Sequence, residues 1–369
     1  MNATLQNRIL GISNRGNTIM SSENGNKHIA ITGASGMGKS YLNDVLILQD
    51  IKKGVPVVVL DIGNSFSANQ LPEIFKNYIN DYKVIYDAQK DIGINPFTLK
   101  KYFINDEPYI ETPVDAARRI AAILSTSISF GDRQYTELLK ALISLMEEYD
   151  NGETDVVTLR TIYNRLVDTG GYAKGTASRL YAIMNEVKFS ENDEDIWYRI
   201  LDQNNPKVTV FQLSRLDPQS QKMAVNCLLD DLYKYISING TVDKPFVITI
   251  DEFQKISTKS DGQMPIDRLI VEGRKFGASL IMSTQLIDLN KNNKLFKQID
   301  QMSTRIYFKP SISEIPAVAK RLSYNSKLNW NAIINSMYAG CCIVENGDIE
   351  NELDKLVKVI SLEKLIEKL

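Results

Sequence analysis

One histidine, His28, and three cysteines, Cys227, Cys341 and Cys342, are all that 369 residues offer of either type. There is no Cys-x-x-Cys pair, so a structural zinc site lacks ligands at a workable spacing. Hydrolysis through a Ser-His or Cys-His pair would rest on His28 alone, at the entry to a strand, where a packed strand-end imidazole is the simpler reading. The thiols read as free cysteines of a reducing compartment, with Cys341 and Cys342 on opposite faces of a strand. No stretch of about 20 residues is apolar enough to span a bilayer. The N-terminus, Met-Asn-Ala-Thr-Leu-Gln-Asn-Arg, is not followed by an apolar run, so no signal peptide is expected. The expected location is the cytoplasm, with a membrane reached through a partner and not by direct insertion. An excess of one charge is also missing: 43 Lys and Arg stand against 45 Asp and Glu, a net charge of −2. Bulk attraction to nucleic acid is therefore absent, and any such contact must be local.

What is present is ordinary globular material, 43% hydrophobic and 24% charged. The length suits two domains or one large α/β domain with an insertion. Residues 28–32 form a short apolar run that ends in glycines, 41–53 carry helical periodicity closed by Gly54, and 55–60 are apolar apart from Pro56. Unbroken apolar runs of this length suit strands of a parallel sheet buried on both faces, so strand, loop, helix and strand make a βαβ unit. Residues 83–86 are a further strand candidate. From 114 to 187 nearly everything is helical. Strand character returns at 208–213, 246–250, 279–283, 305–308 and 341–345. Helices are expected over 218–236, with Asp217 as cap and Pro218 at its first position, over 266–276 and over 353–369. The expected organisation is a first part of an α/β core over 1–110, an all-helical insertion over 111–205, a second part of the core over 206–350 and a C-terminal helix over 351–369.

Gly33-Ala34-Ser35-Gly36-Met37-Gly38-Lys39-Ser40 fits GxxxxGK[ST] at every position, between a strand and a helix. Glycines let backbone N–H groups turn inward onto phosphates, and the helix N-terminus adds its dipole. Lys39 is placed for the β- and γ-phosphates and the Ser40 hydroxyl for Mg²⁺. Residues 33–40 and the adjoining Tyr41 are thus the candidate ATP-binding residues. The apolar strand 246–250 ends in Asp251 and Glu252. Asp251 is in position to hold Mg²⁺ with Ser40, and Glu252 to orient and deprotonate an attacking water. Gln285, at the end of the next strand, can sit between the γ-phosphate and that water. Arg274, in Gly273-Arg274-Lys275-Phe276-Gly277, is at a helix end. Residue chemistry alone leaves it open between a dipole-favoured arginine and one that a neighbouring subunit lends to the phosphoryl group.

Together these motifs resemble the HerA/FtsK superfamily of RecA-like motor ATPases, which includes DNA translocases and the ATPases of conjugative type IV secretion. Residues 273–285 are similar to its GRK-x-G…TQ segment, Asp61-Ile62-Gly63-Asn64-Ser65 to its second strand and loop, and Met302-Ser303-Thr304-Arg305-Ile306 to its last core strand. The likeness spans residues 10–350. It implies a RecA-like P-loop fold with a mostly parallel sheet, a homohexameric ring with ATP between subunits, a central channel for a polymer, and Arg274 acting in trans. The catalytic set is then Glu252, Lys39, Arg274 and Gln285. The N-terminal β-barrel, membrane helices and winged helix of various relatives are not evident.

The expectation is an ATP-hydrolysing, DNA-translocating or helicase-like motor serving DNA transfer, processing or phage defence, with DNA and a pathway-specific protein as further partners. Lys255, Lys259, Lys291 and Lys294 are candidates for tracking a phosphate backbone. The alternatives are a secretion-type ATPase acting on protein, or a nucleotide-regulated scaffold for an effector. A small-molecule kinase has no need of Asp251, Glu252 and Gln285 together, and no LSGGQ-like run points to an ABC transporter.

Overall fold

Successive side chains of the strand Val57–Asp61 point into two different cores: Val57 and Val59 into one, Val58 and Leu60 into the other. The sheet is therefore covered on both sides, as its apolar strands require. The computed structural model describes residues 7–22, 26–67, 69–104, 107–191, 195–256, 264–285, 294–324 and 326–368. Its strands are β1 (Ile9–Ser13), β2 (Thr18–Met20), β3 (Ile29–Thr32), β4 (Val57–Asp61), β5 (Lys83–Asp87), β6 (Lys101–Ile104), β7 (Glu107–Ile110), β8 (Val208–Gln212), β9 (Phe246–Ile250), β10 (Ala278–Thr284), β11 (Thr304–Phe308), β12 (Cys341–Glu345) and β13 (Leu356–Val359).

Among the described residues, eleven strands form one sheet in the order β2-β1-β13-β12-β11-β3-β10-β9-β4-β8-β5, and β6 and β7 form a separate hairpin. The seven from β11 to β5 are parallel, and β12, β13, β1 and β2 continue the sheet antiparallel. This is the RecA-like α/β class expected. The helix Lys39–Lys52 covers one face with Leu42, Val45, Leu46 and Leu48. The helix Pro218–Asn239 covers the other, with Asp217 accepting from the N–H groups of Gln219 and Ser220 at 2.7 and 3.2 Å.

Between β7 and β8 lie the helices Pro113–Ser127, Asp132–Asp150, Leu159–Thr169, Tyr172–Glu186 and Trp197–Ile200. Their apolar residues, among them Ala117, Ile120, Leu142 and Leu180, belong to the same core as Val58, Leu60 and Ile248. Arg119 fastens them at the base. Its buried guanidinium pairs with Glu111 at 2.9 Å and donates to the carbonyls of Pro96 and Thr98 at 2.9 and 2.7 Å. No helix among the described residues is long and apolar enough to cross a membrane.

The C-terminal segment departs from the expected single helix over 353–369. Leu356-Val357-Lys358-Val359 alternates with period two, Val357 inward and Lys358 outward, and pairs with both β12 and β1; a 3-10 turn over Glu352–Lys355 precedes it and the α-helix Leu362–Lys368 follows it. The β-strand pattern and the two waiting sheet edges outweigh the helix propensity of the flanking Leu, Glu and Lys. The helix Lys39–Lys52 is pinned at its far end. There Asp50 pairs with Arg8 at 2.9 Å, both buried, and Arg8 also reaches the Ser279 hydroxyl at 3.2 Å. Cys227, Cys341 and Cys342 are free and buried.

His28 is fully buried, and its Nδ1 accepts from the Leu280 N–H at 3.0 Å. Burial, with the Arg8 charge nearby, pushes the imidazole down to about 4 from an ordinary 6.5. The unfolded chain therefore takes up this proton near pH 6.5 and the folded chain only near pH 4. Stability linked to His28 is present above pH 6.5 and is lost between these values, about 3 kcal/mol by pH 4. In His28→Asn, which keeps an acceptor near the Nδ1 position, the loss between pH 7.5 and 4 should shrink by about that amount in urea titrations. An unchanged loss would show that His28 is not the group responsible.

Candidate active site

The loop after β3 is held from the side by the end of β11. The Ala34 N–H donates to the Lys309 carbonyl at 3.0 Å, and the Met37 carbonyl accepts from the Gly340 N–H at 2.9 Å. Gly38 turns the chain into the helix with φ of 113°, and a Cβ there would press against the Phe308 ring at 3.2 Å. Lys39, 8% exposed, donates to the Ala34 carbonyl at 2.9 Å. Burial lowers the pKa of its ammonium, and the Asp251 and Glu252 carboxylates pull it back up.

Parallel β3, β9 and β10 bring their C-terminal ends side by side. One cleft of about 510 Å³ is therefore lined by Ser35, Gly36, Gly38, Lys39, Ser40 and Tyr41, by Asp251 and Glu252, and by Gln285. Gly33, Ala34 and Met37 build the loop without lining that cleft. Tyr41 is also a strut, its hydroxyl accepting from the Leu362 N–H at 2.8 Å.

The carboxylate pair is set by an unusual backbone. Glu252 adopts the left-handed conformation, with φ of 51° and ψ of 43°, which costs a non-glycine residue about 1–2 kcal/mol. Its carboxylate meets Gln285, whose Nε2 donates to Glu252 Oε1 at 3.0 Å. Lys255 forms an ion pair with the other Glu252 oxygen. The Gln285 N–H donates to Gln254 Oε1 at 3.3 Å, so the two strand ends are cross-linked.

A second loop, after β4, completes the wall. Asp61 accepts from the N–H groups of Ser65 and Phe66 at 2.8 and 3.3 Å and so curls residues 61–66. Burial raises its carboxyl to about 6, against the pull of those two N–H groups. The curl delivers the Ser65 hydroxyl to Asp251. It also brings Gly63 against the pair: a Cβ there would lie 3.3 Å from Asp251 Oδ2 and from Glu252 Cγ and Cδ. The resemblance singled out residues 61–65 without giving any of them a role. Gly63, Asn64, Ser65 and Gln70 line the cleft, as does Asp44 on the helix Lys39–Lys52. Asp44 was legible in one respect, since it falls four residues after Ser40 and so on the same helix face.

Arg274 is elsewhere. It is exposed, in the turn Gly273–Phe276 that precedes β10, whereas Gln285 follows β10. The seven residues of β10 separate them by about 23 Å. Of the candidate pore lysines, Lys255 pairs with Glu252, and Lys294 pairs with Asp267 at 2.9 Å. Lys259 and Lys291 lie outside the described residues. Among the described residues no group of three or more His, Cys, Asp or Glu is placed to hold a metal ion by itself.

The family model of the helicase HerA central domain matches residues 19–232, more than half of the chain. "Probable helicase MJ1565" of Methanocaldococcus jannaschii is 24% identical over 273 residues, which cover 70% of this chain and 49% of that protein. The chain thus spans about half the length of this curated relative. Among solved structures, VirB4 of Thermoanaerobacter pseudethanolicus has a TM-score of 0.73 at 13% identity, over 98% of both chains. The bacterial conjugative coupling protein TrwBdeltaN70 has a TM-score of 0.58 at 12% identity, over 96% of this chain and 89% of that one. At these identities the likeness establishes the fold. The chain belongs to the family of the helicase HerA central domain, within the superfamily that its motifs resemble.

Proposed function

We propose that this chain is the ATP-hydrolysing motor of a ring that moves DNA. The observation that carries the reading is the meeting of Lys39, Ser40, Asp251, Glu252 and Gln285 in one cleft, with Arg274 exposed at the opposite end of β10. A cleft that this arginine cannot reach in its own chain suits a site finished by a neighbour. Support for ATP also comes from TrwB, solved with a non-hydrolysable ATP analogue and with ADP and Mg²⁺. Support for DNA comes from the helicase family and the helicase relative. Within this reading 1–110 and 206–350 form the motor core and 111–205 an accessory helical part.

The residues present fit Mg²⁺. A hydroxyl and a carboxylate are hard oxygen donors, and this ion is ordinarily held by one or two protein groups together with phosphates. Ser40 and Asp251 would hold it, and when bound it supplies positive charge for the β- and γ-phosphate oxygens. The P-loop N–H groups and Lys39 bind and orient the triphosphate. Glu252 orients the attacking water and accepts its proton. Gln285, bonded to that carboxylate, couples the state of the γ-phosphate to the segment that follows β10. Arg274 of the next copy stabilises charge on the transferring phosphoryl group.

Steady-state ATPase activity should be stimulated by DNA at low salt, and the form that stimulates more identifies what the channel accepts. Glu252→Gln should bind ATP with turnover reduced at least a hundredfold; normal turnover would remove Glu252 from its role. Activity indifferent to single- and double-stranded DNA would overturn the DNA reading and favour a protein substrate. Arg274→Ala should still assemble and bind ATP while losing roughly 10³-fold in turnover. Full activity in that variant would rule out the trans role.

A further inference from the structure

The cleft holds one carboxylate for which the reading so far has no use. Asp44 is 5% exposed, lines the cleft, and has no hydrogen bond or ion pair from any described residue. It is one helical turn beyond Ser40 on the same face of the helix Lys39–Lys52, about 6 Å further along the axis. Asp251, a second buried carboxylate, lines the same cleft; burial first, and then the Asp251 charge, hold the Asp44 carboxyl well above the usual carboxylate range. Two carboxylates in one cleft, with a triphosphate to be added, call for a cation. Among the described residues that line the cleft, Lys39 is the one cation, and the nearby Lys255 is taken up by Glu252.

We propose that Asp44 is a metal-positioning residue: its carboxylate receives the water shell of the divalent ion seated by Ser40 and Asp251. The inference rests on the nucleotide-site reading above. Ser40 and Asp251 already supply the one or two protein groups that such an ion ordinarily takes, so Asp44 acts through water. Magnesium keeps several of its waters when bound, and a buried carboxylate without a partner gives those waters a fixed acceptor. Groups that orient a metal's ligands and waters are ordinarily worth 10–100-fold in metal affinity. A carboxylate retained only for packing would have no such effect, and replacing it by an amide would relieve its repulsion with Asp251.

The test is the coupling between metal and nucleotide, which needs no turnover. The dissociation constant of a fluorescent ATP analogue is measured in saturating Mg²⁺ and in EDTA for the wild type, Asp44→Asn and Asp44→Ala. In the wild type Mg²⁺ should tighten binding strongly. In both variants that enhancement should fall at least tenfold, with the EDTA value within about twofold of wild type. An enhancement equal to the wild type's, beside normal nucleotide binding, overturns this inference alone. No nucleotide binding by the wild type overturns the reading of the cleft as well.

Discussion

Parallel strand polarity is the constraint from which the rest follows. Seven adjacent strands run the same way, so their C-terminal ends form one row and their N-terminal ends another. The loops after β3, β4, β9 and β10 all leave from the first row. They carry the glycine loop, Ser65, the Asp251–Glu252 pair and Gln285 to one place. Ligands of open α/β sheets ordinarily bind at these carboxyl ends. Arg274 leaves from the second row. No rotamer of an arginine crosses about 23 Å of strand, so a catalytic role for it requires a second copy.

Within that row the local backbone decides which atoms meet. Left-handed Glu252 folds its carboxylate onto Gln285, and Gly63 leaves room for both carboxylates beside the second loop. Asp61 carries no predicted role, yet it shapes the loop that delivers Ser65 to Asp251. The strained turn is tolerable because the surrounding strands are buried and fully paired. Pre-positioned, poorly solvated charges are what phosphoryl transfer asks of a site, since positioning and charge stabilisation make up most of its catalysis.

Much of this was legible in the sequence because its signals are local. Apolar strands such as 246–250 and 341–345 declare themselves by composition, and the glycine loop by spacing. The row of strand ends could then be inferred from the order of the motifs. Less legible were β1, β2 and β13, which are short and gain their stability from pairing with one another and with β12. Leu356-Val357-Lys358-Val359 lies inside a Lys- and Glu-rich stretch, and only the available sheet edge selects strand over helix. Asp44 was hidden for a different reason. A polar residue in a helix reads as a solvated position until the structure buries it, and here it is buried toward the cleft.

The central claim is that one working site is built from two copies. Glu252→Gln chains keep Arg274, and Arg274→Ala chains keep Glu252, so each alone is expected to be inactive. Mixing them at varied ratios creates interfaces in which the arginine of one serves the intact site of the other. Measured ATPase activity should then rise above that of either variant and peak near equal proportions. Activity of the mixture equal to the weighted sum of the two inactive variants, with mixed assembly verified, would contradict a site shared between copies.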